Sequence, residues 1–384
     1  KRLINAGNIQ NQGWELQLDV TPIRTRTVNW NIGFNWTRNR GKIKELHDKV
    51  KQIQLWGGYD ASPSIYAFEG GTFGVFTGGN GYGTAPRVKY GEASQRMNGT
   101  TPEKYGDKYM LDYWGTVGNP NAIEVYGWTM GSDIGGYYAQ RDDNGNLTHP
   151  YDVLGSVEPD FTFGLNTSVQ VNLPNNSGSI DFFAQIDGRS GGMMTNPGLR
   201  YGISTGTVKE SLYGRDKEHG GIERINWKGD LLYNGIELDG VFRPADLGGD
   251  NTITSLKTGQ KVDLGGMTYM EAVNEGHIKP MLASAYYTYA YGWGNASDLF
   301  TTKASYVALR ELTIGYNFPE KWIKHVGMQS ARLSFTARNL CYIYNGLYGK
   351  TNPESITSNN PLTPFDIGGV PFTRNFALTL DVRF

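Results

Sequence analysis

The chain has 384 residues with 36 Lys and Arg against 37 Asp and Glu, a balance that gives no bulk attraction to nucleic acid or to an anionic membrane surface. One cysteine, Cys341, and five histidines (His47, His149, His219, His277, His325), none spaced i,i+3 or i,i+4, exclude an internal disulfide and leave zinc and thiol-redox chemistry without ligands. Fifty-two glycines, 24 tyrosines, 16 phenylalanines and 9 tryptophans in a chain that is 38% hydrophobic suit many strands and turns better than helices.

The opening "KRLINAGNIQNQGWELQL" has no signal-peptide pattern and runs directly into a strand, so the chain is expected to be the C-terminal part of a longer protein. Leu16, Leu18 and Val20 place a first strand at 12–20. In "TVNWNIGFNWT", Val28, Trp30, Ile32, Phe34 and Trp36 alternate with Asn29, Asn31, Gly33 and Asn35, which predicts a strand over 28–38. A polar face this rich in Asn fits a water-filled lumen better than a packed core. "FTFGLNTSVQV" repeats the pattern and predicts a strand over 160–172; Ile180, Phe182 and Ile186 give 179–188. "ELTIGYNFP" supports a strand over 305–318, where Pro319 ends the pairing, and Ala331, Leu333 and Phe335 give 331–339. The last strand, 375–384, alternates Phe376, Leu378, Leu380, Val382 and Phe384 with Ala377, Thr379, Asp381 and Arg383.

No window approaches 18 consecutive apolar residues, which excludes a spanning helix but says nothing of a barrel, whose strands alternate. The eight-residue step from Phe376 to Phe384 covers roughly 27 Å, or about 20 Å of depth at a tilt near 40°, close to the ~25 Å apolar band of an outer-membrane barrel. Alternation alone fits a soluble sandwich equally well. Connection lengths separate the two. Strands are joined by short "TPIRTRT", "PNNSG" and "PEKWIKHVGMQS" on one side and by long segments 189–304 and 340–374 on the other, as periplasmic turns and extracellular loops are. A compact soluble domain has few loops of such length.

If Phe384 ends in the periplasm, the strands alternate inward and outward back to 12–20, and Lys1 lies on the extracellular side. An even number of strands must then lie between residues 39 and 159. Two are placed there, near 64–77 and 121–131, giving nine and an incomplete barrel. The insert 189–304 is expected to be a large extracellular loop, with "ASAYYTYAYGW" as a hairpin packed inside it.

"SYVALRELTIGYNFPEKWIKHVGMQSARLSFTARNL", "YGKTNPE" and the closing "RNFALTLDVRF" resemble the C-terminal end of the SusC/RagA family of TonB-dependent outer-membrane transporters. "NAGNIQNQGWELQLDVTPIR", "DDNGNLTHPYDVLGSVEPDFTFGLN" and "YGRDKEHGGIERI" extend the resemblance, in the family's order, over almost the whole chain. It implies an all-β fold: the C-terminal part, residues 1–384, of a 22-stranded antiparallel transmembrane β-barrel in the Gram-negative outer membrane. It also implies an N-terminal plug, a TonB box and a first barrel half outside this sequence, a SusD-like surface lipoprotein as partner, and uptake of oligosaccharides or peptides driven through TonB. A secreted all-β glycan-binding module is the alternative, for which the aromatic loops argue.

No catalytic constellation is present: carboxylates are scattered, no Ser or Cys has a visible base, and "GGNGYG" is not a phosphate loop. The chain is read as no enzyme and as needing no cofactor. "RDDNGNLTHPYD" offers Asp142, Asp143, Asn144, Asn146 and Asp152 as oxygen ligands for Ca2+, without the EF-hand spacing; a turn built from these side chains and Gly145 is the competing reading. Trp128, Tyr137, Tyr138, Tyr291 and Trp293, with Arg189 and Arg215 as donors, are candidate substrate contacts, against the reading of each aromatic as a girdle or packing residue. Phe376, Leu378, Leu380, Val382 and Phe384 resemble the C-terminal signal by which the barrel assembly machinery recognises outer-membrane proteins.

Overall fold

A computed structural model describes residues 7–46, 52–57, 64–77, 109–112, 136–137, 153–226, 228–238, 240–242, 244–247, 250–292, 300–355, 364–371 and 373–384. Its largest element is one antiparallel sheet of seven strands in chain order. These are β1 (Gly7–Arg24), β2 (Val28–Leu46), β3 (Pro159–Asn172), β4 (Ser179–Gly191), β5 (Tyr306–Asn317), β6 (Ser330–Asn345) and β7 (Asn375–Arg383).

The period-two pattern of each strand becomes continuous rows because the registers agree. Ile23, Trp30, Val169, Phe182, Ile314, Phe335 and Leu378 lie opposite one another across all seven strands. The next row toward the long connections is Val20, Ile32, Thr167, Ala184, Leu312, Ala337 and Phe376. Among the described residues nothing covers this face: Leu378 is 73% exposed, Ile314 56% and Phe335 48%. Its polar atoms are paired within the face, since the Trp30 indole N–H donates to the Thr167 hydroxyl at 2.8 Å and that hydroxyl donates to the Asn31 carbonyl at 3.3 Å.

The opposite face is polar. Arg24, Asn29, Gln170, Asp181, Gly315, Ser334 and Thr379 make one row across the sheet. An unpaired apolar face across seven strands, backed by a polar one, is the inverse of a soluble half-buried sheet and matches a barrel wall with hydrocarbon outside and water inside.

Connections 25–27, 173–178 and 318–329 join strands at one end of the sheet, and the long excursions leave from the other. The "PNNSG" connection turns sharply because Asn175, Asn176 and Gly178 take φ of 57°, 53° and 94°, values that Asn and Gly tolerate best. The sequence expectation of two barrel strands near 64–77 and 121–131 is corrected here. β2 pairs directly with β3 from Val28↔Val171 to Thr37↔Thr162, so the described sheet has seven strands, not nine, and the even number between them is zero. Ser64–Phe68 and Val75–Thr77 belong to a separate four-stranded sheet with Gln52–Trp56 and Val153–Ser156. Ser64, Ile65, Tyr66, Ala67, Val75, Phe76 and Thr77 are all buried, so these short strands present no lipid-facing side. Residues 121–131 lie outside the described residues.

Between β4 and β5 the chain builds a globule with its own core. Leu199, Ile203, Phe242, Leu264, Tyr269, Tyr286 and Phe300 are among its buried side chains. Helix α1 (Pro197–Thr205) starts with Pro at its first turn and Asn196 as N-cap, whose Oδ1 accepts from the Leu199 N–H at 2.8 Å, and it ends at Gly206 with φ 77°. Helix α2 (Tyr269–Asn274) is opened by a Thr268/Glu271 capping box. The Tyr-rich segment is not a hairpin but helix α3 (Ala283–Gly292). Ala283, Tyr286 and Tyr287 stand at i, i+3 and i+4 and all three are buried, so helical spacing, rather than the alternating tyrosines, governs what the core receives.

Candidate functional site

The polar face is crossed by ion pairs. Near the short connections, Arg332 Nη2 donates to Asp181 Oδ2 at 2.5 Å and Arg332 Nε to Asp181 Oδ1 at 3.2 Å, while Asp381 of β7 stands 3.9 Å from Arg332 Nη1. Arg338 Nε donates to Glu311 Oε2 at 2.9 Å. These groups lie on the polar face of the wall, where contact with water makes charge cost little.

At the opposite end a denser cluster forms. The β5–β6 register shifts between Leu309 and Glu311, and Asn339 on β6 takes φ 52°. Such a bulge re-aims one side chain, and here Arg310 pairs bidentately with Asp187 of β4. Its Nη2 also donates to Glu354 Oε1 at 2.6 Å. Tyr306 donates to the same oxygen at 3.1 Å, and Tyr342 donates to Glu354 Oε2 at 2.7 Å. The Tyr306 and Tyr342 rings meet edge to face at 5.6 Å. Burial opposes the Glu354 carboxylate's charge, but the hydrogen bonds from Arg310 and Tyr342 prevail and hold its pKa below the ordinary value.

Glu354, the last residue of "YGKTNPE", thereby ties this segment to β5 and β6 directly and to β4 through Arg310. The same segment reaches the globule's neck. Asn196 Nδ2 donates to Thr351 Oγ1 at 2.8 Å, Leu347 packs with Met194 and Ala304, and the Thr195 and Asp366 backbones exchange hydrogen bonds with residues 364 and 195. Sequence reading named none of Arg310, Asp187, Glu354, Tyr306 or Tyr342. "YGKTNPE" was the available signal, because an acidic residue in a loop opposite a strand Arg invites a pair.

The candidate substrate contacts divide. Arg189 Nε donates to the Ala304 carbonyl at 3.1 Å, at the globule's neck. Arg215 Nε donates to the Ser211 carbonyl at 2.6 Å and its guanidinium carbon lies 5.4 Å from the Tyr287 ring centroid, so both arginines make internal contacts and they do not meet. Tyr137 lies in the short strand Gly136–Tyr137 and Tyr291 in α3. Trp128, Tyr138 and Trp293 lie outside the described residues, as do Asp142, Asp143, Asn144, Asn146 and Asp152. Among the described residues no cluster of three or more His, Cys, Asp or Glu forms a metal site. In "GRDKEHGG", Asp216 accepts from the His219 N–H at 2.9 Å and lies 2.8 Å from His219 Nδ1 at an exposed turn, in keeping with a solvated surface.

No family model matches the sequence. Over 99% of its length the chain is 22% identical to TonB-dependent receptor P3 of Formosa agariphila. The chain is similar to a TonB-dependent receptor along almost its whole length. It spans 29% of receptor P3, and TonB-dependent receptor P26 of the same organism is 26% identical over 52% of the chain, which covers 16% of that protein. Among solved structures, the RagAB peptide importer in its closed-closed state aligns over 98% of the chain and 30% of its own, at 14% identity and TM-score 0.48. The open-open state aligns over 98% of the chain and 29% of its own, at 13% identity and TM-score 0.46. The curated relatives are both named as receptors.

Proposed function

We propose that the chain is a C-terminal section of the barrel of a TonB-dependent outer-membrane importer for oligosaccharides or peptides, working with a SusD-like surface lipoprotein. The observation that carries this reading is the seven-strand wall with apolar rows uncovered on one face and ion-paired polar rows on the other. Both β1 and β7 are edges of that wall. Backbone groups at membrane depth must be paired, so the importer reading requires further strands from the longer polypeptide. The globule between β4 and β5 and the segments around Trp128, Tyr137, Tyr138, Tyr291 and Trp293 would then face the outside, where substrate and lipoprotein arrive. Ca2+ at Asp142, Asp143, Asn144, Asn146 and Asp152 is a separate proposal, tested by calcium titration calorimetry.

The test is to express the longer polypeptide in a Gram-negative host and follow it by fractionation and uptake. It is expected in the outer-membrane fraction after carbonate washing, with a gel mobility that changes on heating, and to support TonB-dependent uptake of labelled oligosaccharide or oligopeptide pools. Recovery as a soluble secreted protein that binds glycans would replace the importer with the binding module.

A further inference from the structure

The polar face is not uniform. The ion pairs described above lie on β4 to β7, whereas β1 to β4 carry carboxamides in three successive rows. The first row is Gln17, Asn35 and Gly164, the second Asp19, Gly33, Asn166 and Gln185, and the third runs from Asn31 through Ser168 to Phe183. With strands about 4.8 Å apart and like-facing residues about 6.7 Å apart along each, this field measures about 13 by 14 Å.

Two of its amides are seated by glycine. "GFN" (33–35) and "GLN" (164–166) pair in antiparallel register, so that Gly33 faces Asn166 and Asn35 faces Gly164. A Cβ at Gly33 would stand 2.7 Å from Asn166 Nδ2, and one at Gly164 would stand 2.8 Å from Asn35 Oδ1. Each amide lies over the neighbouring strand because the residue opposite has no side chain. Asn35, Asn166 and Gln185 are exposed, and among the described residues their amides make no hydrogen bond. Each therefore presents a donor and an acceptor side by side. Asp19 accepts from Gln17 Nε2 at 3.0 Å, and among the described residues no cation pairs with it.

Phe183 breaks the alternation of β4. It stands on the polar face between Asp181 and Gln185, with Ser168 and Thr313 opposite it on the two adjacent strands. It is half-buried, and among the described residues no other ring packs against it. We infer that Asn35, Asn166, Gln185 and Phe183 form a binding site for a neutral oligosaccharide. A sugar ring has a flat C–H face that stacks on an aromatic ring, and neighbouring hydroxyls at its edge that match the donor and acceptor of one carboxamide. An anionic chain would meet the unshielded charge of Asp19. A peptide would bring charged termini and side chains to a field with no cation to spare, since Arg310 and Arg338 are already held by carboxylates. This deepens the importer reading and rests on it, because the site then lies on the water side of the wall, where cargo passes.

The test uses the full polypeptide, purified in detergent from the outer-membrane fraction and applied to an array of neutral oligosaccharides, acidic oligosaccharides and hexapeptides. Wild type is expected to retain neutral oligosaccharides in preference to the other two classes. For the tightest of them, Asn35→Ala/Asn166→Ala and Phe183→Ala should each weaken binding on the order of tenfold, as loss of neutral hydrogen bonds or of a stacked ring does. Phe183→Trp should keep it, and Thr379→Ala, on the polar face of β7 outside the field, should leave it unchanged. Unchanged heat-dependent gel mobility in each variant shows that the wall is still assembled. Retention of no neutral oligosaccharide, affinity unaltered in both alanine variants, or peptide retention lost in their place would overturn the site while leaving the importer reading intact. Absence of the wild-type polypeptide from the outer membrane would remove both.

Discussion

Glu354 gathers Arg310, Tyr306 and Tyr342 around one carboxylate, and the arrangement fixes how it should respond to acid. Its pKa is held below the ordinary value of 4.5. A depressed carboxylate adds stability that is complete above its unfolded pKa and is lost as pH falls through its folded one. Glu354→Gln keeps the shape and removes the charge, so the loss is expected to be of order 1.5–3 kcal/mol at neutral pH, the range for hydrogen bonds to charged groups. Thermal unfolding in detergent should show the gap between wild type and variant closing as the pH is lowered below the ordinary carboxylate range. A constant gap would show that shape, not charge, is what the site uses. Sequence reading missed this cluster because Arg310 is turned by a bulge and Glu354 lies far along the chain; neither is visible in local periodicity.

At the scale of the strand, period two was readable and length was not. All seven wall strands are legible in their alternating residues, since every second side chain meets a different solvent. β1, β2 and β6 run further than expected, to 18, 19 and 16 residues, because they continue in water where alternation relaxes: Gln10, Asn11 and Gln12 pair with Lys42, Gly41 and Arg40. Short buried strands such as Ser64–Phe68 defeat the same rule, having no wet face. The lipid-facing reading makes β7 the sharpest place to test. Leu378→Arg should destabilise assembly by about 2–4 kcal/mol if near the bilayer midplane, while Thr379→Arg on the polar side should be nearly neutral. The yield of heat-modifiable protein in the outer membrane compares them, and equal losses would contradict the assignment of faces. Phe384 is 72% exposed and so contributes little packing here. Its removal is nonetheless expected to lower outer-membrane yield, through recognition by the assembly machinery; a yield equal to wild type would discard that role.

For the whole molecule, two kinds of order coexist. The globule's core draws on side chains from Leu199 to Phe300 and is tied to the wall through the short ribbon of Met193–Thr195 with Thr301–Lys303. The wall instead depends on a pairing, β2 with β3, made across the excursion between them. That excursion was misread as strands because sequence gives no signal of which strand will be a neighbour. Among the described residues the wall has two unpaired edge strands, β1 and β7, and an uncovered apolar face, conditions for edge-to-edge association. Light scattering of residues 1–384 in detergent should report oligomers; a clean monomer would mean that the edges are protected by another arrangement.

The seven strands alternate in direction, so β1 and β7 point the same way. An antiparallel ring cannot close on an odd count: bending this wall until its edges meet forces a parallel seam, and adding copies head to tail forces one at every junction. An all-antiparallel cylinder therefore requires an odd number of strands from elsewhere. Parity makes the wall insoluble as a puzzle by itself and excludes half of all conceivable complements before any contact between them is considered.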